Sequence, residues 1–163
     1  MNIQNASPIR SVGFTGHRDL SSQQTELAAK KLREAIDLLI SLGATDFYAG
    51  GALGFDTLAA RAVVARKNSG ANIKLHLLLP FPGQDKGWSQ SNKSAYHAII
   101  GMADSVKYSH EKYVPGVYHL RDRAIVENAD VIVAFLSKES GGTAYTVSLA
   151  EKLDRKVINL AEI

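Results

Sequence analysis

Two hydrophobic periods take turns along this chain. Dense apolar runs at residues 10–15, 46–49, 74–79, 104–108, 131–136 and 157–160 have the length and texture of strands. Between them, apolar residues recur every three or four positions, as on one face of a helix. The first such stretch follows Ser21-Ser22-Gln23-Gln24, a serine with glutamine three positions on, which is a capping-box signal. It carries Ala28, Leu32, Ala35, Ile36 and Leu39 on one face and stops at Gly43. A second helix is expected to open at Asp56, with Leu58, Ala59, Ala62 and Val63 inward. Further helices are expected over 89–102, 118–128 and 143–153. Pro80-Phe81-Pro82-Gly83 ends the third strand, and 109–116 reads as a loop. Strands that alternate with helices of this length call for crossover connections and a parallel sheet covered on both faces. The expectation is an α/β fold: a single three-layer Rossmann-like domain with a mostly parallel sheet, over 1–163, without an internal repeat or linker.

Three of the strand-to-helix junctions are rich in glycine: Gly13-Phe14-Thr15-Gly16-His17-Arg18, Gly50-Gly51-Ala52-Leu53-Gly54-Phe55-Asp56 and Ser140-Gly141-Gly142-Thr143. In a parallel sheet all three fall along one edge, where unsatisfied N–H groups and helix dipoles can hold an anion such as a nucleotide phosphate. Gly13 and Gly16 flank Thr15, whose hydroxyl can donate to a phosphate that Arg18 reaches with its fork of donors. Gly50, Gly51 and Gly54 would let a ligand approach the main chain. Asp56 fits either a helix N-cap or an acceptor for a ribose hydroxyl. Gly141, Gly142 and Thr143, with Thr146 one turn on, form the best phosphate site.

Composition narrows the classes. The chain has 45% apolar and 21% charged residues, a globular balance able to bury a sizeable core. Its formal charge of +3 is spread without a block of like charges, which suits a small anion better than a nucleic-acid surface. Cysteine is absent, excluding disulfides and thiolate chemistry. No long apolar stretch near the start marks a signal or a membrane span, so a cytoplasmic protein is expected. The five histidines, His17, His76, His97, His110 and His119, lack zinc-ligand spacing. They are read as surface or loop residues, and no metal or cofactor is expected.

The order Gly-Phe-Thr-Gly-His-Arg, then Gly-Gly-x-x-Gly-x-Asp, then Pro80-Phe81 with Gln84, Trp88, Asn92 and Tyr96, and finally Asn128-Ala129-Asp130 ahead of Ser140-Gly141-Gly142-Thr143, resembles the YpsA-like family. That family belongs to the SLOG superfamily of Rossmann-like nucleotide binders, with DprA and the LOG phosphoribohydrolases as relatives. The resemblance runs from about residue 9 onward and implies a nucleotide or nucleotide-derived ligand, of NMP, NAD or ADP-ribose type. LOG-type relatives are dimers or larger, which implies a homo-oligomer. They also carry a histidine two before an arginine and an Ala-Asp pair ending nine residues after it, a spacing kept by His119, Arg121, Ala129 and Asp130. Arg121 would then face the phosphate or the reacting ribose.

The LOG signature continues as Pro-Gly-Gly-x-Gly-Thr-x-x-Glu. Here Ser140, Ala144, Tyr145 and Ser148 replace its proline, third glycine, threonine and glutamate. A serine cannot supply the carboxylate that glycoside cleavage needs. Glu151, three residues on, is the available substitute and Asp56 another, so binding ranks ahead of hydrolysis. Phe81, Trp88 and Tyr96 fit a base-stacking lid or, more readily, core and interface packing. Tyr113, Tyr118 and His119 carry the same ambiguity. A DprA-like role in binding single-stranded DNA ranks third, because the charge is nearly balanced.

Overall fold

A run that is apolar at every position asks for a strand with neither face in water, and 131–135 finds that place beside the centre of a sheet. A computed structural model describes residues 8–161; the expectation drawn from the extreme N-terminus concerns residues 1–7, outside the described range. The strands are β1 (Ser11–Gly16), β2 (Asp46–Ala49), β3 (Lys74–Leu79), β4 (Ser105–Tyr108), β5 (Val131–Phe135) and β6 (Lys156–Asn159). They alternate with α1 (Ser22–Ser41), α2 (Phe55–Asn68), α3 (Gln90–Met102), α4 (Val117–Asn128) and α5 (Gly142–Lys152). The sheet order is β4-β3-β2-β1-β5-β6, and every pairing is parallel. The chain therefore builds outward from β1 in one direction through β4, then crosses to the other side of β1 with β5. With right-handed crossovers, α1, α2 and α3 cover one face, and α4 and α5 the other.

The local chemistry explains the elements. Ser21 caps α1: its Oγ accepts from the Gln24 N–H while the Gln24 side chain accepts from the Ser21 N–H. The inward face of α1 is the expected set of Ala28, Leu32, Ala35, Ile36 and Leu39. One core lies under α1–α3, with Phe47, Phe14, Phe55 and Phe135 in a chain of ring contacts at successive centroid separations of 6.1, 6.5 and 6.0 Å. A smaller core joins Ile125, Val126, Ile132, Ala134 and Val147 under α4 and α5.

Two expectations are corrected here. Asp56 is the second residue of α2, and the cap position belongs to Gly54, at φ +76°. His76 is no loop residue: it lies in β3, with Nε2 2.7 Å from Asp46 Oδ1 and Nδ1 2.6 Å from Ser105 Oγ. A polar ring is tolerated inside the sheet because both nitrogens are engaged.

At its far end β1 is tied down by Asp130, whose Oδ2 accepts from the N–H groups of Arg10 at 2.9 Å and Ser11 at 3.1 Å. Burial works to raise the pKa of this carboxyl, but those N–H donors outweigh it and hold the value below the ordinary carboxylate range.

At its near end, β1 meets α2 at backbone distance. A Cβ on Gly16 would lie 2.3 Å from the Phe55 ring, and one on Gly54 would lie 2.3 Å from the Arg18 carbonyl oxygen. Backbone cannot yield as a side-chain tip can, and a positive φ adds strain for any other residue. Gly54→Ala is expected to destabilise the fold by about 2 kcal/mol or more, read as a lower urea midpoint with unchanged m-value. An unaltered midpoint would show that the contact is not tight.

Candidate functional site

The reversal of strand order between β1 and β5 opens a crevice at the carboxyl ends of the strands, the usual ligand position in sheets of this kind. A cleft of about 270 Å³ lies there. Its walls come from four places: the end of β1 (Thr15, Gly16, His17, Arg18), the start of α2 (Ala52, Asp56), the first turns of α4 (Tyr118, His119, Arg121, Asp122) and the start of α5 (Gly142, Thr143).

Charge is concentrated on its floor. Arg121, only 7% exposed, donates from Nε to Asp122 Oδ1 at 2.7 Å and from Nη1 to the Gly50 carbonyl at 2.5 Å. Its guanidinium also stands 5.9 Å from the centroid of the Tyr118 ring. Asp56 accepts from the Ala52 N–H at 3.2 Å. Burial pushes its pKa up to about 6; Arg121 opposes that rise, Asp122 adds to it, and Arg18 draws it down slightly. The hydroxyls differ from these engaged groups. Thr15 and Thr143 are 7% and 6% exposed, both line the cleft, and neither makes a hydrogen bond within the described residues. The one buried side-chain polar atom without a partner among the described residues is Gln84 Oε1, behind the Gly51 corner; the two threonine hydroxyls are open to the cleft.

The rim is held by rings and by one histidine. Phe81 meets Tyr113 at 5.9 Å and Tyr118 at 6.0 Å, both edge-on. His119 stacks on Tyr145 at 4.0 Å, fastening α4 to α5. His17 Nε2 accepts from the Ser137 N–H at 2.9 Å, joining the loops after β1 and β5. Burial lowers the pKa of His17, and the nearby Lys138 lowers it further, which keeps that nitrogen free to accept.

The fold brings together Thr15, Gly16, His17, Arg18, Asp56, Arg121, Gly142 and Thr143, with Gly141 open to solvent at the α5 cap. The other candidates lie elsewhere. Gly13 is mid-strand, where a Cβ would meet Ile125 at 2.7 Å. Gly50 lies against Arg121 and Gly51 under Leu79 and Tyr96, so their missing side chains admit protein rather than ligand. Gly54 faces the Arg18 carbonyl. Pro80 is buried and its carbonyl accepts the His110 N–H. Thr146 is fully buried and donates to the Gly142 carbonyl at 2.8 Å.

Glu151 is exposed, one residue from the C-terminal end of α5, while the cleft is at the N-terminal end of that helix. A shift of the helix by one turn would not carry it back, so it is withdrawn as the catalytic carboxylate. Asp130, at the opposite sheet edge, is also absent from the cleft. The Trp88 and Tyr96 rings pack edge-on at 5.3 Å, and Tyr96 takes a hydrogen bond from Gln84, which also donates to the Gly51 carbonyl. These residues support the second glycine corner from below.

Asp122 and Ala52 were missed by motif reading. Asp122 had a signal of its own: Val117, Arg121, Ile125 and Asp122, Val126 follow the spacing of a buried helix face, so two charges stand where the pattern asks for apolar groups.

An all-parallel sheet with a polar cleft at its switch point defines a Rossmann-like α/β domain. The family model described as the YspA SLOG family (YpsA) matches residues 15–161, and the chain belongs to this family. UPF0398 proteins of Bacillus thuringiensis (strain Al Hakam) and Bacillus anthracis (strain A0248) are each 28% identical over 130 residues, covering 78% of this chain and 71% of theirs. Among solved structures, the DNA processing protein A (DprA) of Streptococcus pneumoniae has a TM-score of 0.65 at 20% identity, over 91% of this chain and 49% of that one. DprA of Helicobacter pylori, solved for its single-stranded DNA binding mode, has a TM-score of 0.64 at 21% identity, over 92% of this chain and 64% of that one. The present chain thus spans about half the length of the pneumococcal protein, and the likeness to both is one of fold. No helix among the described residues is long and apolar enough to cross a membrane.

The raised pKa of Asp56 has a thermodynamic sign. Between the unfolded value of 3.8 and the folded value of about 6, the native state binds the extra proton, so this group's contribution to stability falls as pH rises through that window. Full ionisation costs about 3 kcal/mol by the difference of the two values. His17 slopes the other way, because its lowered pKa contributes stability above the unfolded value of 6.5 that is lost on acidification. The variant difference separates the two. Asp56→Asn is expected to raise Tm over the unaltered chain at pH 7.5 and by much less at pH 5; a difference independent of pH would refute the assignment.

Proposed function

We propose that the switch-point cleft binds a nucleotide-derived small molecule of NMP, NAD or ADP-ribose type, as a sensing or sequestering module. The observation that carries this reading is that one cleft gathers two threonine hydroxyls with no partner among the described residues, Thr15 and Thr143, beside the Asp56 and Asp122 carboxyls. The remaining chemistry fits a sugar phosphate. Carboxyls of Asp56 and Asp122 can accept from ribose hydroxyls, while the open Gly141 side of the α5 N-terminus offers unsatisfied N–H groups to a phosphate. Arg121, held on both sides, orients the carboxylates rather than reaching out for the anion.

Hydrolysis of an N-glycosidic bond is the second reading, and one observation favours it: Asp56, with a pKa near 6, faces the cleft and could lend or take a proton at neutral pH. Strand tracking of single-stranded DNA needs a basic groove with stacking rings. Arg18 is the one exposed guanidinium among the residues lining this cleft, and it faces two carboxyls.

Mononucleotides carrying each of the four RNA bases, read by thermal shift and by chromatography, test these readings together. At least one is expected to stabilise the protein without releasing base. Thr15→Val and Thr143→Val should each weaken that binding roughly tenfold while leaving the unliganded Tm nearly unchanged, since each removes about one hydrogen bond from the complex. Free base released at catalytic protein levels, and abolished by Asp56→Asn, would replace the binding module with the hydrolase. Failure of every mononucleotide, and of NAD and ADP-ribose beside them, to bind would remove both.

A further inference from the structure

A second cavity, of about 470 Å³, adjoins the first on the α1–α3 side of the sheet, and Arg18 lines both. The β1–α1 loop that carries Arg18 passes between them, fixed from behind by Gly54. The floor of the second cavity includes Leu20, Leu53 and Leu58, and its polar wall comes from Arg18, Arg61 and Asn92. None of these three polar side chains makes a hydrogen bond or ion pair within the described residues. Two guanidiniums against the single carboxylate of Asp19 leave the lining net positive. The first cavity differs in character, with its one exposed guanidinium, Arg18, at the border and carboxyls on its floor.

Asn92 belongs to the Gln84, Trp88, Asn92, Tyr96 set that the cleft leaves unused. Gln84 and Tyr96 support Gly51, and Trp88 packs on Tyr96. Asn92 lines the second cavity, from the first turn of α3.

We propose that the second cavity is the subsite for the distal half of a two-part ligand: a nucleoside diphosphate carrying a further polar group, with the nucleoside and its first phosphate in the first cleft and the second phosphate passing Arg18. The proposal rests on the cleft reading above and narrows its ligand class. Arg18 and Arg61 provide planar forks for diphosphate oxygens at the crossing. Asn92 offers an amide to the distal group, and the leucines take its apolar face. A mononucleotide fills only the first cavity and leaves Arg61 without contact.

The test compares each mononucleotide with its matching nucleoside diphosphate sugar by calorimetric titration: AMP with ADP-ribose, GMP with GDP-mannose, UMP with UDP-glucose. For at least one base the diphosphate sugar is expected to bind at least roughly tenfold more tightly, as charge-assisted contacts to a phosphate allow. Arg61→Ala should erase that gain and leave the mononucleotide affinity unchanged. Arg61 is exposed and unbonded, so its removal should not disturb folding. Thr143→Val should weaken both members of a pair alike. A mononucleotide that binds while its diphosphate sugar binds no more tightly, or a gain that survives Arg61→Ala, overturns the second subsite and leaves the cleft reading standing. Absence of binding by every pair overturns both.

Discussion

The end of β1 and the start of α2 touch through their main chains, and the rest of the cleft-bearing edge is arranged around that touch. Phe55 lies flat against the space where Gly16 has no side chain, and the Phe55 N–H donates to the His17 carbonyl at 3.1 Å. Gly54 brings its own α-carbon up to the Arg18 carbonyl. Phe55 is at the same time a core residue, in ring contact with Phe14 and Phe135. A single side chain therefore couples the hydrophobic core to the position of the loop above it. Asp56 follows Phe55 directly, so its place in the cleft is inherited from the packing of its neighbour.

The cleft floor follows a second logic. Arg121 is buried with its Nε on Asp122 and its Nη1 on the Gly50 carbonyl, while burial, with a smaller push from Asp122, raises the pKa of the neighbouring Asp56. The result is polar but close to neutral near the Asp56 pKa, and suited to hydroxyl groups. Positive charge is displaced outward to Arg18 and beyond it to Arg61. Carboxyls and exposed guanidiniums thus line neighbouring spaces, and Arg121 holds Asp122 and the Gly50 loop in register.

Much of the architecture was legible in the residues because its causes are local. The capping box at Ser21, the inward face of α1 and the strands 46–49 and 74–79 follow from periodicity and end signals within a few positions. The glycine corners were legible as corners, but half of their meaning was not. Gly50 is small because of Arg121, 71 residues away in sequence, and Gly13 because of a helix more than a hundred residues on. No motif distinguishes a glycine that admits a phosphate from one that admits another part of the same protein. Glu151 failed for the converse reason: sequence proximity to Ser148 placed it on the right helix, yet a helix has two ends, and only one of them borders the cleft.

Asp130 gives β1 a fixed foot. It clamps the backbone where the strand begins, while the opposite tip of the same strand supplies Thr15 and Gly16 to the cleft. Clamp and cleft are thereby separated by the length of one central strand, so residues at the tip can be exchanged without loosening the clamp.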